Sequence, residues 1–199
     1  MSHLQDEIRQ QPQVLMTLLD HEVDNARAIA AELQGHSPRY VIIAARGTSD
    51  NAARYGQYLL GAHNRLPVGL ATPSLYSVYG EAPALEGGLV IGISQSGQSP
   101  DIVAVLAEAR QQGVPTLALA NDSGSPLAQQ ADYVISLHAG QERAVAATKT
   151  YTAQLTALAL LSCALDGDPS RLEALRRVPL AVERSSPLLL PVVYGIGTA

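Results

Sequence analysis

Apolar and polar positions along this chain alternate in blocks that predict repeated strands and helices. From Leu4 to Leu33 apolar residues recur at helical spacing, which predicts one long helix with a break or a first turn at Pro12. Beyond this helix, short apolar runs bounded by turn residues predict five strands. They are Tyr40–Ala45, Pro67–Ala71, Leu89–Ile93, Thr116–Ala120 and Tyr133–Leu137.

The segments between the strands carry the helical pattern. Helices are predicted over Asn51–Leu60, from Thr72-Pro73-Ser74 onward, over Pro100–Gln112, over Val145–Leu165 and over Ser170–Arg184. Strand–helix repeats of this kind imply a parallel sheet with right-handed crossovers. The predicted fold is therefore α/β: a three-layer, doubly wound, five-stranded parallel sheet of flavodoxin-like order, with extra N- and C-terminal helices. The leading helix packs either on a partner or on its own domain.

Composition narrows the class of protein. Of the 199 residues 47% are hydrophobic and 16% charged, which is typical of a folded domain. A net charge of -5 argues against a nucleic-acid partner. A polar N-terminus and the lack of a run of about 18 apolar residues predict neither signal peptide nor membrane span. The single cysteine, Cys163, lies in an apolar run, which favours a core role and a reducing, cytoplasmic location.

The richest polar segment follows the third strand. Ser94-Gln95-Ser96-Gly97-Gln98-Ser99 joins that strand to a helix that begins with Pro100. The first amides of a helix have no partner within it, and the helix dipole places positive potential there. Serine hydroxyls add further donors. The segment therefore predicts an anion site, with ordinary helix capping as the simpler interpretation.

Two further segments lie at the same predicted edge. Gly47-Thr48-Ser49-Asp50 follows the first strand, whose end should lie beside that of the third. After the fifth strand, residues 139–150 contain Lys149, a cation in an unfavourable first helical turn. Lys149 is either an anion ligand or a solvated lysine, and Glu142 is either a proton-transfer carboxylate or a solvated loop residue. No metal-ligand spacing is visible, and no cofactor is expected.

Three motifs together resemble the sugar isomerase (SIS) domain superfamily. They are Arg46-Gly47-Thr48-Ser49, Ser94-Gln95-Ser96-Gly97-Gln98-Ser99 and Val145-Ala146-Ala147-Thr148-Lys149. Within the superfamily the chain resembles the first domain of the two-domain branch, which includes the isomerase half of glutamine–fructose-6-phosphate amidotransferase and the isomerase-like glucosamine-6-phosphate deaminases. Ser77-Val78-Tyr79-Gly80 and Ala146–Tyr151 are closer to the deaminases.

The resemblance implies roles for individual residues. Ser94, Ser96, Ser99 and the Gln95 backbone would hold a sugar phosphate, with Ser49 as another donor. Thr48 and the Val145 backbone would lie near the sugar hydroxyls. Some relatives carry cysteine, glutamate and serine at the positions of Arg46, Gln98 and Ala147, and these departures fit a deaminase-like relative better than an amidotransferase.

The resemblance also implies a domain plan. Residues 1–37 form a helical segment, residues 38–186 the SIS domain, and residues 187–199 the start of a second, truncated SIS domain. Val192–Ala199 echoes the first strand and its glycine turn. In two-domain relatives the acid–base residues lie mainly in the second domain. A homodimer is expected, because a domain separated from its twin would expose Leu155, Leu158 and the leading helix.

Three functions remain open at this point. The first is an aminosugar-phosphate deaminase or isomerase acting on glucosamine 6-phosphate or fructose 6-phosphate. The second is a module that senses a phosphosugar without catalysis. The third, a flavodoxin-like nucleotide binder, lacks a Gly-x-Gly-x-x-Gly motif, a P-loop lysine motif and aromatic residues to stack on a base.

Overall fold

A five-stranded parallel sheet forms the centre of the computed structural model, which describes residues 2–185. Its spatial order is β2-β1-β3-β4-β5. This arrangement confirms the predicted doubly wound sheet of flavodoxin-like order. The strands are β1 (Tyr40–Ala44), β2 (Val68–Leu70), β3 (Gly88–Ser94), β4 (Thr116–Ala120) and β5 (Tyr133–Ser136).

Helices follow each strand and extend the fold at both ends. The predicted helix after the first strand begins three residues earlier than expected, at Thr48, and the last long helix begins four residues later, at Lys149. The helices are α1 (His3–His36), α2 (Thr48–Asn64), α3 (Ser74–Ser77), α4 (Pro100–Gln111), α5 (Pro126–Gln130), α6 (Lys149–Asp166) and α7 (Pro169–Arg176), and residues 178–185 are also helical.

Alternate residues of each strand face opposite layers of helices. Val41 and Ile43 pack in the cluster formed with α1, α2 and α6, whereas Ala44 belongs to the cluster formed with α4 and α5. At Gly92 a side chain would meet Leu106 at 2.7 Å, so the glycine permits the close approach of α4 to the sheet. The result is the predicted three-layer architecture.

The long N-terminal helix settles one open alternative and corrects two expectations. It packs along α6 of its own domain, and Leu158 is fully buried while Leu155 is partly buried against that core. The expected exposure of these two leucines is therefore wrong. Pro12 is buried inside α1 and does not break it, because contacts described below fix the turns that precede it.

The strand order reverses between β1 and β3, and this reversal positions the site. Ala44 at the end of β1 pairs with Gly92 of β3, so both strands deliver their following loops to one edge of the sheet. Ligands of doubly wound sheets bind at such a point. The segment Val192–Ala199, predicted to begin a second domain, lies outside the described residues. Within residues 2–185, no helix is long and apolar enough to cross a membrane.

Candidate functional site

A polar cleft of about 220 Å³ opens at the edge where β1 and β3 end. Its walls come from the three segments that the sequence analysis singled out, together with part of α6. Of the predicted site residues, seven line the cleft, whereas Gly47, Lys149 and Glu142 do not. The lining residues are Arg46, Thr48, Ser49, Ile93, Ser94, Gln95, Ser96, Ser99, Val145, Ala147, Thr150 and Gln154.

The serine loop, residues 94–99, is shaped by its own hydroxyls. Ser94 is the last residue of β3 and is buried; its Oγ accepts a hydrogen bond from the amide of Gly97 at 3.0 Å. The Oγ of Ser96, which is exposed, accepts from the amide of Gln98 at 3.2 Å. In accepting these bonds the hydroxyls keep their own protons, which remain able to point toward an anion in the cleft.

The Gly47-Thr48-Ser49 segment forms the opposite wall. Gly47 has a φ of +55°, a conformation that glycine adopts without strain, and it turns the chain from β1 into α2. Ser49 is buried, and its Oγ accepts a hydrogen bond from Nε2 of Gln154 at 2.9 Å. Its hydroxyl proton is therefore also free for a ligand.

The two helices that follow β1 and β3 begin at the cleft and have no side-chain caps. Helices α1, α5 and α7 are capped by side chains of their own chain, namely Ser2, Ser125 and Asp168. Helices α2 and α4, which open into the cleft, have no side-chain cap hydrogen bond, and the same is true of the one-turn helix α3 and of α6. Capping satisfies orphan amides and adds negative charge or dipole at a helix start. The uncapped starts of α2 and α4 leave positive potential in the cleft, where an external anion can take the place of a cap.

The loop before α6 is organised by the carboxylate of Glu142. This carboxylate accepts hydrogen bonds from the amide and hydroxyl of Thr148 at 2.8 and 3.0 Å, from the hydroxyl of Thr150, and from Nε2 of Gln95 at 3.3 Å. Glu142 is thus not a solvated loop residue. It ties this loop to the serine loop and serves the start of α6, which is why the helix begins at Lys149 rather than at Val145.

Helix α1 supports the same loop from the other side. The buried carboxylate of Glu7 accepts hydrogen bonds from the amides of Arg143 and Ala144, the latter at 3.0 Å. Lys149 is also buried, and its Nζ donates to Oε1 of Gln10 at 2.8 Å. The interpretation of Lys149 as a solvated lysine is therefore wrong, and its charge is directed to α1 rather than into the cleft.

Arg46 is the only charged side chain among the described residues that line the cleft. Its guanidinium lies 3.3 Å from a carboxylate oxygen of Asp101, in the first turn of α4. The arginine side chain is about two-thirds exposed, so this ion pair contributes little to stability. It places one positive charge at the mouth of a cleft whose remaining lining is neutral.

Two cleft residues on α6 escaped the sequence analysis. Thr150 is fully buried and bonded to Glu142, and Gln154 is also buried. Their spacing of four residues puts both on one face of α6. Their four-residue spacing in the helix that follows the third motif is the signal by which both could have been found.

Cys163 lies on α6 far from the cleft lining and packs against the core, as predicted. Burial raises the pKa of its thiol, which makes the thiolate scarcer and the group less reactive. Within the part of the chain that the structure describes, no group of three or more His, Cys, Asp or Glu side chains has the arrangement of a metal site.

The sequence profile of the SIS domain matches residues 36–164, a range that contains all three cleft segments. The chain belongs to the SIS domain family. This match confirms the resemblance that the three motifs carried. The family assignment fixes the kind of domain.

Relatives of known sequence or structure agree with the assignment. The chain is 36% identical to the glutamine–fructose-6-phosphate aminotransferase (isomerizing) of Aquifex aeolicus over 90% of its own length and 30% of that protein's. Among solved structures it matches a candidate phosphosugar isomerase from Silicibacter pomeroyi with a TM-score of 0.92 and 34% identity, covering 99% of this chain and 61% of that one.

A third match supports the fold alone. The C-terminal domain of glucosamine-fructose-6-phosphate aminotransferase from Francisella tularensis gives a TM-score of 0.78 at 24% identity, covering 97% of this chain and 56% of that one. The SIS domain described here therefore spans less than a third of the Aquifex protein and somewhat more than half of each solved structure.

Proposed function

We propose that this SIS domain binds a hexose 6-phosphate in the cleft between α2 and α4. The serine loop and Ser49 would hold the phosphate, and Thr48 and the backbone of Val145 would lie beside the sugar hydroxyls. One observation carries the proposal: serine hydroxyls and two uncapped helix starts converge on a single cleft. Such a cluster of donors is complementary to a phosphate and needs few positive charges.

The binding step is tested by isothermal titration calorimetry with glucose 6-phosphate, fructose 6-phosphate and glucosamine 6-phosphate, and with glucose as the unphosphorylated control. Ser94→Ala and Ser96→Ala should each weaken hexose phosphate binding by about 10-fold, because each removes a hydrogen bond to a charged group. Ser170→Ala is the matched control. Ser170 lies in the first turn of α7, beyond the C-terminal end of α6, and its loss should leave the affinity unchanged. Serine variants of the loop that bind as tightly as the wild type would refute the proposal.

We further propose that this domain serves an aminosugar-phosphate deaminase or isomerase, which deaminates glucosamine 6-phosphate or isomerises fructose 6-phosphate. The aminotransferase relatives and the deaminase-like segments Ser77–Gly80 and Ala146–Tyr151 support this substrate class. Ammonia release from glucosamine 6-phosphate, and conversion between glucose 6-phosphate and fructose 6-phosphate, are the two assays. If the protein binds these sugar phosphates but neither releases ammonia from glucosamine 6-phosphate nor interconverts the other two, the catalytic part of the proposal is excluded.

A phosphosugar-sensing module without catalysis is the second candidate, and one observation favours it. Among the described residues, the cleft lining contains no carboxylate, histidine or lysine, and the nearby Glu142 is already engaged by several donors. A base that moves a proton at the sugar would have to come from elsewhere. Binding without turnover in the assays above is the result this candidate predicts.

We propose a homodimer as the assembly and the cytoplasm as the location. Large apolar side chains remain exposed on Tyr58, Val78 and Tyr79, at 82%, 76% and 69%. Exposed aromatic side chains such as the two tyrosines are enriched at contacts between subunits. Light scattering after size-exclusion chromatography should give twice the chain mass, and Tyr58→Ser should shift the equilibrium toward monomer. A monomeric wild type at about 100 µM, well above the Kd of a stable dimer, would contradict the proposal.

A further inference from the structure

One acceptor in the cleft has no donor within the described structure. Gln154, in the second turn of α6, is 2% exposed and lines the cleft. Its Nε2 donates to Ser49 Oγ at 2.9 Å. Its Oε1 is buried, and no donor among residues 2–185 lies within hydrogen-bonding distance. This amide is held firmly at one end and left unsatisfied at the other.

A buried acceptor of this kind calls for an explanation. Buried polar side-chain atoms are nearly always hydrogen-bonded, and leaving one without a partner is unfavourable. An amide oxygen only accepts hydrogen bonds, so it is a poor partner for the unprotonated oxygens of a phosphate dianion, which also accept. A hydroxyl or an ammonium group in a different part of the ligand can supply the donor that Gln154 Oε1 lacks.

We propose that Gln154 is a specificity-determining residue that binds the sugar part of the ligand through Oε1 and orients Ser49 through Nε2. This inference rests on the proposed hexose 6-phosphate site and adds the residue that distinguishes a sugar phosphate from phosphate alone. Because Nε2 occupies a lone pair of Ser49 Oγ, the serine proton is directed toward the phosphate. The side chain of Gln154 would thus contact the sugar directly and act on the phosphate through Ser49.

The experiment compares ligands that share the phosphate and differ in the donor. Calorimetric titrations use inorganic phosphate, glucose 6-phosphate and glucosamine 6-phosphate with the wild type, Gln154→Met and Ser49→Ala. Gln154→Met keeps the length of the side chain without its amide, and Gln154→Leu repeats the test with another shape in case one variant folds poorly. Circular dichroism and thermal melting establish that each variant is folded.

Loss of Gln154 should weaken binding of glucose 6-phosphate by about 5-fold more than binding of inorganic phosphate, as expected for one hydrogen bond to a neutral group. Ser49→Ala should weaken both ligands by the same factor. A larger loss for glucosamine 6-phosphate than for glucose 6-phosphate identifies the ammonium as the donor, and equal losses identify a hydroxyl common to both.

Two results overturn different parts of the argument. If Gln154→Met and Gln154→Leu weaken both phosphate and glucose 6-phosphate equally, Gln154 acts only through Ser49 and the inference fails. If Ser94→Ala and Ser96→Ala leave the affinity for glucose 6-phosphate unchanged, the phosphate site itself is wrong and the proposed function fails with it. The Gln154 and serine variants therefore separate the two failures.

Discussion

The serine loop and the loop before α6 line the same cleft but are held by different kinds of contact. In the serine loop, hydroxyls bond to amides two or three positions further along the chain. In the loop before α6, the amides of Arg143 and Ala144 bond to Glu7, more than 130 residues earlier. One wall is built by local turn chemistry and the other by the N-terminal helix.

This difference separates two contributions to the site. The local wall supplies donors for an anion wherever a strand, a glycine turn and a helix start follow one another. The long-range wall places Val145 and Ala147 opposite those donors, and the docking of α1 on α6 supports it through Glu7 and Gln10. Damage to α1 should therefore change the sugar side of the cleft while leaving the phosphate side formed.

The largest effect is expected from substitution of Gly97, which should disrupt the local wall. Its φ is +64°, and a Cβ at this position would lie 2.1 Å from Ser125 Oγ. Gly97→Ala should lower the free energy of unfolding by about 3 kcal/mol, through strain and steric overlap, and should abolish hexose phosphate binding. Urea denaturation and calorimetry measure the two effects.

Gly113→Ala is the matched control for this prediction. Gly113 has a similar φ of +70°, but a Cβ there would have no atom within 4 Å. Only backbone strain of about 1 kcal/mol is then expected, with binding intact. Equal destabilisation by the two substitutions would show that the packing of the serine loop against α5 contributes nothing.

A smaller effect is expected from substitution of Glu7, which should disrupt the long-range wall. Glu7→Gln removes the charge that two amides share, at a cost of about 2 kcal/mol for hydrogen bonds to a buried carboxylate. Amide exchange at residues 143–148 should accelerate, whereas exchange at residues 94–99 should not change. Glu32→Gln, at an exposed site on the same helix, is the control. Faster exchange in both loops would show that the two walls are not independent.

Glu142 connects the two walls, and its substitution should affect both of them moderately. Glu142→Gln keeps the shape of the side chain but loses the charge that Thr148, Thr150 and Gln95 contact. The free energy of unfolding should fall by about 1 kcal/mol, because the Glu142 side chain is partly exposed. Glu173→Gln, on the surface of α7, is the control. Amide exchange that stays unchanged in both loops would show that Glu142 does not clamp them.

The sequence predicted the local wall well and the long-range wall poorly, for a physical reason. Strand burial, glycine turns and hydroxyl-rich helix starts are local properties, so the sheet, its order and the serine loop followed from the printed residues. The roles of Glu7 and Gln10 depend on a helix that docks more than 130 positions away. No local pattern marks such partners.

The wrong expectations have the same origin. Pro12 has a strong local tendency to end a helix, but contacts of Glu7 and Gln10 hold the preceding turns in place. Leu158 was expected to be exposed because a twin domain was thought to cover it, whereas α1 of the same domain packs there. Lys149 was considered a possible solvated lysine because its partner Gln10 lies on that helix. All three follow from one undetermined fact, the docking of α1 on α6.

The smallest effect is expected at α7, whose N-terminus is capped by the side chain of Asp168. The hydroxyl and amide of Ser170 donate to the carboxylate of Asp168, and with the nearby Arg171 they hold the pKa of that carboxyl below its ordinary value. A carboxyl with a lowered folded pKa stabilises the protein above its unfolded pKa of about 4 and loses this contribution as the pH falls through the folded value.

Ser170→Ala should therefore raise the pKa of Asp168 toward its ordinary value, because the hydroxyl donor is its largest cause. The acid limb of the stability profile should move slightly upward in pH, and hexose phosphate affinity should not change. An NMR titration of the Asp168 carboxyl carbon measures the shift. An unchanged pKa of Asp168 would show that the Ser170 hydroxyl does not donate to the carboxylate. The contrast between the capped start of α7 and the uncapped starts of α2 and α4 would then lose its clearest example.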